Sequence, residues 1–152
     1  MMTRWLLAAA HLLALGIGLG AIWGRRRALR GTLDPAGLRA VFYADNWWGI
    51  AFLLWLSTGL ARLFGTFEKG TTYYLQNHAF LGKMACLGLI LALELWPMVA
   101  LIRWRIAIGS GRTVDTRHAG AFARISTAQA VLVVLMVLAA AAMARGLGMP
   151  HE

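Results

Sequence analysis

Four strongly apolar stretches, from about Trp5 to Trp23, Trp47 to Leu63, Ala79 to Ile102 and Ala128 to Ala144, take up most of this chain. Each is close to the roughly 20 residues that a helix needs to cross a bilayer core. Hydrocarbon offers no water to backbone N–H and C=O groups, so only helices and closed barrels persist there. A barrel strand alternates polar and apolar residues, and the unbroken apolar run from Val131 to Leu138 does not. The sequence therefore predicts an all-α membrane protein, a four-transmembrane-helix bundle making a single domain over residues 1–152. The segments between the spans are too short for a soluble domain. With 60% apolar residues and only 14% charged, the composition also belongs to a membrane class.

A formal charge of +9 suits nucleic acid until the basic residues are placed along the chain. Arg25, Arg26, Arg27, Arg30 and Arg39 follow the first span, and Arg103, Arg105, Arg112, Arg117 and Arg124 follow the third. Arg4, Arg62, Lys69 and Arg145 fall at the other ends. The positive-inside rule then puts both Arg-rich loops in the cytoplasm and both termini outside. The expected partner of these arginines is the lipid bilayer, through its anionic headgroups, and not nucleic acid. The first span exceeds the 7–15 apolar residues of a signal peptide and its positive cluster follows it, which predicts a retained anchor. Cys86 is the single cysteine, so no intramolecular disulfide or thiolate pair can form, and a buried, inert thiol is expected.

Asp34 followed by Pro35 reads as an N-cap with proline at the first helical position. The segment it starts, with Leu38, Val41 and Phe42, either lies along the interface or leads directly into the second span. Trp47 and Trp48 mark one interface, Tyr73 and Tyr74 the other. Gly65, Glu68, Lys69 and Gly70 make a polar turn, and Gly109-Ser110-Gly111 a flexible break. Gly16, Gly20 and Gly24 share one helical face, a pattern for close helix approach. Gly16, Gly18 and Ala21 also fit a loose dinucleotide fingerprint, rejected because that motif works only at a strand-to-helix turn. Pro97, inside the third span, removes a backbone bond to the Leu93 carbonyl and predicts a kink beside Glu94. Arg124, Ser126 and Thr127 are read as capping or anchoring the start of the fourth helix.

Three ionisable side chains, His11, Lys83 and Glu94, lie inside the spans. A charge at the bilayer centre costs about 2.5–3.5 kcal/mol or more, so such residues face a protein interior with a partner or ligand. At 1.5 Å per residue His11 sits roughly 9–12 Å below the outer end of its span and Lys83 roughly 6–12 Å below its own, so the two share a level. Glu94 follows Lys83 by eleven residues, which returns it to within about 20° of the same face and about 16 Å nearer the cytoplasm. A neutral buried imidazole suits axial ligation of haem iron, which makes His11 the metal ligand, and bundles build such sites from inward-facing side chains. Gly18, two turns along on the same face, would leave room for the macrocycle, and Arg4, Arg62 or Lys83 would pair with a propionate. Met84, Met136, His78 or neutral Lys83 are candidates for the second axial position. Copper is disfavoured because His11, His78 and the methionines form no close cluster in sequence. The alternative is purely structural: His11 bonds a neighbouring helix, Lys83 snorkels outward, and a protonated Glu94 bonds Gln129.

The segments HLLALGIGLGAIWGRR (11–26), FYADNWWGIAFLLWLSTGL (42–60), LFGTFEKGTTYYLQN (63–77) and LELWPMVALIRWR (93–105) resemble the bacterial family of four-helix membrane proteins known as domain of unknown function twenty-two-fourteen. That likeness implies a protein of the bacterial inner membrane and no particular activity; combined with the arginine distribution, it gives a multi-pass protein with periplasmic termini. A more distant resemblance is to HemJ-type protoporphyrinogen IX oxidases, short four-helix proteins with a functional His in the first helix and a functional Lys in the third. Here these roles fall on His11 and Lys83, although Ala79 stands four residues before Lys83 where a basic residue belongs. The resemblance implies bound haem b and oxidation of a tetrapyrrole. The leading expectation is a haem-b redox protein passing electrons to a quinone or other membrane acceptor, with His11 as ligand, Lys83 as substrate-side cation and Glu94 as proton acceptor. The competing expectation is a non-enzymatic accessory or assembly subunit, in a homo-oligomer or larger membrane complex, whose polar residues fix helix register. A transporter would need paired broken helices and a repeat, which the sequence lacks.

Overall fold

A computed structural model describes residues 2–64 and 77–145, with the side chains of Arg4 and Leu63 excepted. Tyr73, Tyr74 and the polar turn from Gly65 to Gly70 lie outside the described residues. Four helices make up the bundle: α1 (Met2–Arg30), α2 (Pro35–Phe64), α3 (His78–Gly109) and α4 (Ala119–Ala144). The described residues contain no strand. By length and composition α1 (from Trp5), α3 and α4 can each cross a membrane. α2 is not among these three, but it accompanies α1 closely. Gly24 faces Ala44, Gly18 faces Trp48 and Ala51, and His11 lies against Gly59. That pairing runs antiparallel over thirteen residues of α1, about 20 Å of rise, so α2 traverses the same layer.

The remaining contacts complete an up-down-up-down arrangement. Arg25 of α1 meets Ser126 and Gln129 of α4, while Glu94 and Trp104 of α3 meet Gln129 and Phe122 of α4. α1 packs on α2 and on α4, and α4 packs on α3. Among the described residues α2 and α3 stay largely apart. The ends of α1 and α3 and the starts of α2 and α4 therefore gather at one end of the bundle, and both Arg-rich segments gather with them.

Every helix outruns its apolar window. α2 begins at Pro35, not near Trp47, because the Asp34 carboxylate accepts the Gly37 N–H at 2.7 Å and the chain runs straight on into the span. α4 begins at Ala119, nine residues before the expected start at Ala128, with His118 at the cap position making no side-chain cap bond. Ser126 and Thr127 thus lie within the helix and do not cap it. Hydropathy marks where lipid ends, whereas backbone hydrogen bonding carries a helix onward into the interfacial layer. Pro97 is buried inside α3, which continues through it to Gly109. In the connection from α3 to α4, Asp115 accepts the Arg117 backbone N–H and then its guanidinium, which hold its carboxyl below the usual range.

Two apolar clusters make the core. One sits mid-bundle around Ala14, Trp48, Trp55, Ile90 and Met136; the other lies at the Arg-rich end around Leu29, Val41, Leu101 and Phe122. The outside is greasy, with Leu12, Leu13, Leu53, Leu95 and Leu138 all exposed, as lipid contact requires. Exposed Trp5 and Trp23 are eighteen residues apart on α1, about 27 Å by helix rise, close to the roughly 30 Å of a hydrocarbon core. Of the expected glycine face only Gly24 meets another helix; a methyl at Gly16 or Gly20 would touch nothing within 4 Å, and it is Gly18 that abuts α2.

The α1–α2 turn is the tightest place in the fold. A Cβ at Gly37 would lie 1.9 Å from the Thr32 carbonyl oxygen, so backbone would have to move. Gly37→Ala should cost about 1–3 kcal/mol, as overpacking does. Gly16→Ala should be neutral or slightly stabilising, within about 1 kcal/mol. Thermal midpoints of the two variants in one detergent check the contrast.

Candidate functional site

On α1 the buried residues are His11, Ala14, Gly18, Ile22, Arg25 and Leu29, spaced by three or four as one helical face demands. That periodicity points the guanidinium of Arg25 inward, while its neighbours Arg26 and Arg27 lie off the stripe. Arg25 is 0% exposed. A guanidinium has five N–H donors and no acceptor, and each finds a partner. Nε donates to Ser126 Oγ at 3.2 Å; Nη1 donates to Asp45 Oδ1 at 2.9 Å and Glu94 Oε1 at 2.7 Å. Nη2 donates to Glu94 Oε2 at 2.8 Å and Gln129 Oε1 at 2.9 Å. The pair with Glu94 is bidentate, the strongest geometry open to these groups.

The network reaches all four helices. Gln129 Nε2 donates to Glu94 Oε2 at 2.7 Å and to the Ile90 carbonyl at 3.3 Å. Asp45 Oδ2 accepts Arg105 Nη2 at 2.8 Å, and the Arg105 guanidinium lies 4.6 Å over the Phe42 ring. Two arginines face two carboxylates, so the cluster carries no net charge. Arg105 also ties α3 to α2 at the Arg-rich end, where these otherwise separate helices close. The bond between Glu94 and Gln129 matches the structural alternative read from the sequence, but Glu94 sits in an ion pair with Arg25, not as an isolated neutral acid. Arg25 and Asp45 were the residues sequence reasoning missed: Arg25 was counted with its loop neighbours, though the i, i+3, i+4 stripe through Ala14, Ile22 and Leu29 would have singled it out.

His11, 6% exposed, is turned toward α2. Its Nδ1 lies 2.9 Å from Thr58 Oγ1, and its ring stacks on Trp55 at 5.4 Å between centroids. The Thr58 hydroxyl donates its single hydrogen to a backbone carbonyl, Leu54 at 2.7 Å or Trp55 at 3.0 Å. The Thr58 oxygen can thus accept from Nδ1–H, and the contact orients the ring toward α2. An imidazole suits an axial ligand. The packing does not suit haem: Trp48 fills the space beside Gly18 at 3.4 Å, and the ring edge of His11 is pressed to within 3.2 Å of a Cβ position at Gly59. The neighbouring apolar cleft, lined by Gly18, Trp48, Trp55, Ile90, Val133 and Met136 and not by His11, holds only about 20 Å³, against several hundred for a usual ligand site.

Other sequence candidates lie on α2 and α3. Lys83 and Met84 are half-buried on α3, His78 is exposed at its start, and Arg62 is half-buried near the end of α2. The side chain of Arg4 lies outside the described residues. Among the described residues no three His, Cys, Asp or Glu side chains are placed to hold a metal ion. The Trp55 indole nitrogen is the one buried polar side-chain atom without a hydrogen bond among them.

The family model of a predicted membrane protein, DUF2214, matches residues 3–148. The chain belongs to that family. No curated protein and no solved structure matches it. The match runs through all four helices, so the lock around Arg25 and the His11 pocket both fall within the family's shared region.

Breaking a buried ion pair from one side strands the partner charge and costs about 3–5 kcal/mol. Arg25→Leu, which leaves Glu94 without a cation while Asp45 keeps Arg105, should lose about this much. Glu94→Gln, which keeps an acceptor oxygen for Arg25, should lose less. Denaturant or thermal unfolding in detergent measures both, and equal losses would show that the charge pairing is not what counts.

Proposed function

We propose that this chain is a non-enzymatic membrane subunit: a bundle that is locked in one helix register by the Arg25 cluster and packs against a partner within the bilayer. The observation that carries this reading is saturation. All five Arg25 donors have protein acceptors and both Glu94 oxygens accept from protein donors, which supports a structural role for the cluster. Buried polar groups of this kind specify register and partner geometry. The membrane is taken to be the bacterial inner membrane, with the Arg-rich end in the cytoplasm and both termini in the periplasm, on the distribution of arginine.

A second reading, a haem-b redox protein exchanging electrons with a quinone, is favoured by the buried imidazole of His11 on the inner face of α1. It requires Trp48 to leave the space beside Gly18 and the cleft to open, and no step of a haem reaction follows from the packing as it stands. Lys83 in this reading keeps its expected place as a substrate-side cation.

The two readings part in one preparation. The full chain, expressed with ample haem and purified in mild detergent, should carry a stoichiometric protein partner and show no haem bands in a reduced-minus-oxidised spectrum. Haem bands that vanish in His11→Ala, from protein without a partner, would reverse the choice.

A further inference from the structure

We propose that Arg26, Arg30 and Arg124 form a clamp for the phosphate of an anionic phospholipid, on the outer groove between α1 and α4 at the Arg-rich end. Arg26 is held ready for it. Its Nε donates to Thr127 Oγ1 at 2.8 Å, across to α4, and its guanidinium lies 4.5 Å over the ring of exposed Trp23. Those two contacts fix the plane of the fork and leave both Nη groups for an acceptor. Arg30 follows Arg26 by four residues and so shares its face; Arg124 precedes Thr127 by three and shares that of Thr127. Because α1 and α4 are antiparallel, both steps lead toward the same end of the bundle, and the three guanidinium groups converge along one groove. Arg30 and Arg124 are exposed.

Charge and depth select the ligand. The four described carboxylates are engaged elsewhere: Asp34 on the Gly37 N–H, Asp45 and Glu94 in the Arg25 cluster, and Asp115 on Arg117. The groove is therefore cationic without internal compensation. It begins three residues beyond Trp23, about 5 Å by helix rise, and runs outward for roughly another turn. An interfacial tryptophan sits at headgroup level, so the arginines lie where lipid phosphates lie. A soluble anion would have to reach this groove past the lipids that surround it, whereas a headgroup is already there.

Native mass spectrometry of the intact chain, released from micelles holding equal amounts of phosphatidylglycerol and phosphatidylcholine with the same acyl chains, tests the clamp. Wild type should retain phosphatidylglycerol preferentially. At about fivefold in affinity for each arginine near an anionic surface, Arg30→Gln with Arg124→Gln should reduce that preference roughly 25-fold, and adding Arg26→Gln should remove it. Arg103→Gln with Arg112→Gln, exposed arginines at the same end and an equal loss of charge, should leave it near the wild-type value. Excess inorganic phosphate should not displace the lipid. No preference in wild type, an equal fall in the Arg103/Arg112 control, or displacement by free phosphate would each overturn the proposal. Arg30 and Arg124 are exposed, so a folding defect in the Arg26 variant would not remove the test.

Discussion

A guanidinium sealed inside protein must have every N–H satisfied by protein groups, because no water reaches it, and Arg25 is fully buried. Arg25 imposes that condition on the whole bundle. Satisfying it takes a hydroxyl and an amide from α4, a carboxylate from α2 and a carboxylate from α3, each at hydrogen-bond distance at once. Sliding any helix by one turn would pull its group about 5 Å away and leave a buried charge partly unpaired, at a cost of several kcal/mol. Dispersion between apolar helices in lipid has no such sharp preference. The cluster therefore sets register, and the apolar contacts fill in around it.

Its location also explains the shape of the molecule. Asp45 and Arg105 join α2 to α3 near the Arg-rich end, and an apolar cleft lies farther along, lined from all four helices. The Trp48, Phe52 and Trp55 rings of α2 line one side of that cleft. They pack against α1 as well, and this is why the room that Gly18 seemed to leave for a flat cofactor is already taken. The His11 side chain is held from the same helix, by Thr58 and Trp55.

Charge is divided between two jobs. Arg25 and Arg105 turn inward and are neutralised by carboxylates, so they add nothing to the external field. The exposed arginines around them carry the cationic character of this end, and that is the part the lipid surface meets. Counting all ten arginines of the two loops as one class, as a topology rule does, hides this split.

The sequence by itself determined the membrane class, the helical content and the rough places of the four helices, because hydrocarbon constrains composition residue by residue with no need for long-range information. It also marked Glu94 as a buried group needing a donor, with Gln129 at matching depth. Helix ends were beyond its reach, since Asp34 and the polar start of α4 lie outside the apolar windows yet continue the same hydrogen-bonded ladder. Only the tertiary structure decided that Arg25 faces the core and that His11 faces Thr58. It also decided that Trp48 occupies the space beside Gly18. Which side chain fills a gap depends on the register of two helices distant in sequence, and that register follows from an ion cluster whose members lie up to 104 residues apart.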